Sequence, residues 1–185
     1  YTGGTITAQT GSDIVVTAGG DLRLDNAAAA GLIQLRSTGG SVLSDGLLDA
    51  GTSLQVSAAA DIDLADADAG DFIDLNAPGG GIDARTLTAG GILFAVASGR
   101  VAIESATSGS AILVNTAGDA DLGFVSAADS LFVTADAITL VDANAGTDIG
   151  LTAAGDIQLG TARAGDDFTA EAGGTFTGGT VIVSG

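Results

Sequence analysis

Residues 59–78 read AADIDLADADAGDFIDLNAP, and this stretch decides the fold. It holds two short phrases, Asp61-Ile62-Asp63-Leu64 and Phe72-Ile73-Asp74-Leu75. Both alternate apolar and polar residues, the period of a strand with one buried face. An alanine-rich bridge, residues 65–70, joins them. Alanine in that place reads as a tight third side, where larger side chains would not fit.

Working outward, the same arrangement recurs on both sides. Units begin at Gly3, Gly19, Gly39, Ala59, Gly79, Gly99, Gly118, Asp136 and Ala154, and GGTFTGGTVIVSG closes the chain. The units from Gly19, Gly39, Ala59 and Gly79 have 20 residues each, and the four that follow have 18 or 19. Strands this short are not stable singly. Stacked in parallel, coil on coil, they bury continuous ladders. The reading is therefore an all-β parallel β-helix, a β-solenoid of about nine to ten coils of 18–20 residues, with residues 1–185 as one domain. One ladder is expected to hold Leu22, Val42, Ile62, Ile82, Val101, Leu122, Ile138 and Ile157. A second takes Ile33, Leu54, Ile73, Ile112, Leu131, Ile149 and Phe168. In the unit from Gly79 two sets compete, and Ile92, Phe94 and Val96 are expected inside because they are larger than Leu93 and Ala95. Helical solenoids have longer repeats and avoid so much glycine. A β-sandwich does not require near-identical phrases at this spacing.

Composition fits a folded rod. Apolar residues make up 46 %, glycine numbers 30, and Pro78 is the single proline. Twenty-three acids face five arginines, for a net charge of −18. Nucleic acid is a poor partner, since phosphate binding needs a basic face. Cations or a basic partner are the reasonable counterparts. With neither cysteine nor histidine, disulfides, typical zinc sites and histidine-dependent triads are excluded. No stretch approaches the length of a membrane span, so the chain is not expected to cross a membrane. The first residues do not resemble a signal peptide.

Three chemistries bear on the acids and threonines of the coil. Aspartate precedes the buried aliphatic residue in many coils, as at Asp13, Asp21, Asp61, Asp71, Asp148, Asp156 and Asp166. Only fragments of the calcium-roll nonapeptide are present, and turn-capping carboxylates are the favoured reading. A loosely held surface cation such as calcium has its best candidates at Asp63, Asp66, Asp68 and Asp74, where acids are densest. Polysaccharide cleavage needs paired acids in a cleft. Coils of near-equal length provide no cleft loops, so no catalytic residue is assigned and the chain is read as a non-enzyme. Ice binding needs a threonine ladder, and Thr134, Thr139 and Thr152 do not form one along the whole chain. The Gly-Gly pairs mark corners, not phosphate loops, because a strand and no helix follows each.

The phrases GGDLRL (19–24), AGDIQL (154–159) and AGTDIGLTAAGDIQLG (145–160) resemble the filamentous haemagglutinin-type repeats of large bacterial exoproteins, the two-partner-secreted adhesins among them. The resemblance covers essentially the whole chain. It implies a right-handed coil, in line with the general preference of parallel crossovers. It also implies an extracellular or cell-surface location and a shaft-like role. No secretion domain, toxin domain or receptor-binding insertion is recognisable, and no binding residue carries over. Neither end resembles a cap: Gly3 to Ile6 begin a coil at once, and Val181-Ile182-Val183 run close to the last residue. Each end is expected to meet more polypeptide, from a longer array of the same chain or from another copy.

Overall fold

The computed structural model describes residues 5–7 and 12–185. The described residues form a β-solenoid: twenty strands, all paired in parallel, make one 11-stranded and one nine-stranded sheet. Away from the ends, strands pair with their counterparts one coil before and one coil after. At about 4.8 Å per coil, nine to ten coils make a rod on the order of 45 Å long.

The first phrase and the bridge are a single strand with a corner inside it. Strand Ile62–Ala69 shows the pattern: Ile62 and Leu64 face in, residues 65 and 66 do not, and Ala67 and Ala69 face in again. Two successive residues off the core shift the alternation and mark the bend. Pairing skips the same place, running from Leu64↔Ala84 directly to Asp66↔Thr86. In the coil from Gly39 a bulge between Ser44 and Leu47 lengthens this strand to Val42–Ala50. The second phrase, Ile73–Ala77 in the reference coil, forms the other sheet. The coil thus has a first-phrase side, a bridge side and a second-phrase side.

The bridge side is narrow, as its alanines imply. Its inward rungs include Ala27, Ala67, Ala106, Ala143 and Ala162, with Leu48, Leu87 and Val125 as the larger exceptions. Opposite it, the second-phrase ladder runs Ile14, Ile33, Leu54, Ile73, Leu93, Ile112, Leu131, Ile149 and Phe168.

Two expected rungs are corrected. On the first-phrase side the residue between Val101 and Ile138 is Ala120, not Leu122. Leu122 faces in as well, one rung along with Ile103 and Leu140. A slip of two residues leaves the same face buried, so alternation could not tell them apart. In the coil from Gly79 the core takes Leu93, Ala95 and Ala97, while Ile92, Phe94 and Val96 lie outside it. Leu93 is locked between Ile73 and Ile112 of the adjoining coils. A one-residue slip would break that ladder on both sides, and the neighbours' register outweighs the larger local set.

Glycine does sit at the corners, but not for its freedom at positive φ. Gly185 alone has positive φ among the described residues. The cause is close approach between coils. A Cβ on Gly90 would lie 2.1 Å from the Gly70 carbonyl oxygen, and one on Gly109 2.0 Å from that of Gly90. The buried hydroxyls are satisfied. Ser37 Oγ donates to the Gly20 carbonyl at 2.7 Å and accepts from the Gly40 amide at 3.0 Å. Among the described residues no buried side-chain polar atom lacks a partner. At the last coil the inward rungs are open: Phe176, Val181 and Val183 are exposed.

Candidate functional site

The four carboxylates singled out as cation candidates are not brought together. Asp63 lies on the first-phrase side, level with Asp83 of the next coil. Burial, then the charges of Asp83 and Asp45, push its carboxyl up, with Arg23 acting against them. Asp66 stands at the corner and is held by Arg85, whose Nε donates to Oδ1 at 3.1 Å. That hydrogen bond keeps its carboxyl below the ordinary range. Asp68 is exposed on the bridge side, level with Asp49 and Thr88. Asp74 is on the second-phrase side. Among the described residues no group of three or more acidic side chains is placed to hold a metal ion.

Five of the seven aspartates that precede strands act as caps, and they cap the next coil rather than their own turn. Oδ1 of Asp13 accepts from the Leu32 amide at 2.8 Å, Asp21 from Ser41 at 3.0 Å, and Asp61 from Gly81 at 2.9 Å. Asp156 accepts from Thr175 at 2.7 Å, and Asp148 from Asp167 at a longer 3.3 Å. Between Asp21 and Asp61, the Ser41 hydroxyl does the same for the Asp61 amide at 3.2 Å. Two corners are thereby stitched from coil to coil, the one before the first phrase by Asp21, Ser41, Asp61 and Asp156 and the one before the second phrase by Asp13 and Asp148. Aspartate and serine suit this because a short side chain reaches a neighbouring amide without spanning the coil.

Four arginines also bridge coils, in the pairs Arg23–Asp45, Arg85–Asp66, Arg100–Asp121 and Arg163–Asp142. All four pairs are well exposed, so each adds little stability. They lie on the first-phrase and bridge sides. An open hollow of about 440 Å³ on these sides exposes Phe124 beside Arg100, Glu104 and Asp121. Its acids include one already paired with Arg100.

The second-phrase side is different in kind. One outward row runs Gln34, Gln55, Asp74, Phe94, Leu113, Phe132, Gly150 and Thr169. The next row places Val96, 40 % exposed, beside Phe94. Phe132 lies over Gly150, where a Cβ would come within 2.7 Å of its ring. The middle of this side is therefore an apolar stripe on an otherwise acidic rod. Beside it opens a hollow of about 300 Å³ lined by Phe72, Ile92, Phe94, Gly91, Gln55, Asp71 and Asp74. The sequence reading missed it by placing Ile92, Phe94 and Val96 in the core. The available signal was that both faces of residues 92–97 are apolar, which leaves one apolar face outside whichever way the strand points.

Asp74 is half-buried there, and burial alone raises its carboxyl above the ordinary range. Its side chain has no hydrogen-bond or ion-pair partner among the described residues. Asp71 is the other titratable group lining the hollow. A raised native pKa means that the folded chain binds more protons between the ordinary value and the raised one. The stability contributed by this group is thus full below the ordinary carboxylate range and is lost as pH rises through the raised value. Asp74→Asn is therefore expected to raise the thermal midpoint at neutral pH, with the gain vanishing in acid. Melting curves of both proteins at the two pH values check it, and a gain that persists in acid would contradict the assignment.

Among the described residues no helix is long and apolar enough to cross a membrane. No protein-family model matches this chain, nor does any curated protein or any solved structure.

Proposed function

We propose that this chain is a structural shaft segment of a bacterial extracellular fibre of the adhesin type. Its function is extension: it holds a distal domain away from the cell or forms part of a matrix. The observation that supports this reading is the coil-to-coil pairing carried through every described coil on all three sides, with one small bulge between Ser44 and Leu47 and no long insertion between strands. Spacers need this property and enzymes do not. A solenoid whose repeats contact only their neighbours can be lengthened or shortened without redesign. The reading gives the chain no catalytic role. The family resemblance supplies the location, and strong negative charge suits it by keeping an unfolded, exported chain soluble.

The test is removal of two whole coils. Deleting residues 59–97 joins Ala58 to Ser98 in register, because Ile62, Ile82 and Val101 are equivalent positions. The shortened chain is expected to fold cooperatively into a rod about 10 Å shorter, measured by small-angle X-ray scattering. A chain that loses its fold, or a rod of unchanged length, would sink the modular spacer.

The parallel pairing of every coil with the next supports a second reading, end-to-end assembly of copies into filaments. Open strand edges with apolar rungs are templates for further pairing. Electron microscopy of the isolated chain separates the two: filaments support assembly, and uniform short rods reject it.

A further inference from the structure

We propose that the hollow between Phe72 and Phe94 on the second-phrase side is a docking site for a lysine-type cationic side chain presented by a basic partner protein. The walls are apolar, from Phe72, Ile92 and Phe94, and the space is about 300 Å³. Within it the carboxylate of Asp74 stands between Gln55 and Phe94 of the adjoining coils. A half-buried carboxylate is normally hydrogen-bonded or paired, and this one is neither among the described residues. Gln55, the polar neighbour, accepts from Gln34 through Oε1 at 3.0 Å, and its own amide nitrogen makes no hydrogen bond to Asp74.

The chain does not supply the missing cation. It contains no lysine. Four of its arginines are paired with acids on other sides. Arg36, the fifth, sits two strands from Asp74 on the same sheet, about 10 Å off. The cation must therefore come from outside. An alkylammonium chain meets each feature of the hollow. Its methylenes lie along Phe72 and Ile92. Its head reaches Asp74, with Asp71 near the rim, and an aromatic neighbour adds cation–π attraction. The net charge of −18 draws such a partner in from solution. This inference does not depend on the shaft reading, since a lateral site serves a fibre and a free protein alike.

The probe is N-acetyl-lysine methylamide, titrated into isotope-labelled protein at about 0.15 M salt, which screens diffuse attraction to the acidic surface. Its neutral isostere, N-acetyl-norleucine methylamide, is run beside it. The lysine probe is expected to shift the amide signals of Phe72, Asp74, Ile92 and Phe94 saturably, and the norleucine probe to leave them unchanged. Asp74→Asn should weaken binding at least about tenfold, as loss of a charged partner does. Phe94→Ala should weaken it about threefold, the scale of one exposed cation–π contact. Asp63→Asn, on another side, should bind as before. Asparagine already occupies outward strand positions at Asn76 and Asn115, so the decisive variant keeps the fold. The proposal is overturned if neither probe saturates, if the norleucine probe binds equally, if shifts spread alike over every acidic side, or if Asp74→Asn binds unchanged.

Discussion

Leu93→Asp is expected to abolish folding of the central coils, whereas Val96→Asp, three residues along the same strand, should leave stability within about 0.5 kcal/mol of the parent. Leu93 is fully buried between Ile73 and Ile112. A carboxylate there has neither water nor a counter-ion, and a buried unpaired charge costs about 4 kcal/mol or more. Val96 points outward, so an aspartate in its place is solvated. It stands level with Asn76 and Asn115, which are polar already. Urea unfolding of both variants decides the matter. Equal losses, or the greater loss at Val96, would mean that the strand is turned over and that the apolar stripe does not exist.

Gly90→Val should cost about 2–3 kcal/mol, at the upper end for overpacking. The added carbon would fall 2.1 Å from the Gly70 carbonyl oxygen, which is backbone and cannot swing aside. Gly109 stacks as tightly on Gly90, so the strain passes to the next coil. The column holds two methyls, at Ala30 beneath Gly51 and at Ala128 beneath Gly146, and valine with its branched Cβ is the sharper probe. Gly19→Ala is the matched control. A Cβ on Gly19 meets nothing within 4 Å, and its φ is not positive. That change should be neutral or stabilise by about 0.4–1 kcal/mol through the unfolded chain. Thermal midpoints of the pair test whether corner glycines are kept for clearance. Similar losses at both would point instead to backbone freedom.

The coil and most of its core were legible because the sequence repeats the same alternation and the ladder needs it. Ile33, Leu54, Ile73, Ile112, Leu131 and Ile149 fall where the spacing puts them. Legibility failed where alternation carries no information. At residues 92–97 both faces are apolar, and only the adjoining coils choose between them. At Ala120 and Leu122 both residues face inward, and only register separates them. The surface was harder, for a geometric reason. Asp63, Asp66, Asp68 and Asp74 are close in sequence, but a coil turns, so they are dealt out to different sides. Real neighbours are 18 to 20 residues apart, as Asp61 is from the Gly81 amide it caps. The Asp74 hollow joins residues of three coils in this way, so a search for local clusters passes over it.

The stitched corners and the ladders share one orientation, with the bonds between coils running along the rod. Pulled from its two ends, such a rod meets the load in series, one coil at a time. Each coil that yields frees about 19 residues, or roughly 65 Å of extended chain, in place of a single rise of about 4.8 Å. The molecule then behaves under tension as a reel, paying out length in even steps while the remaining coils stay wound.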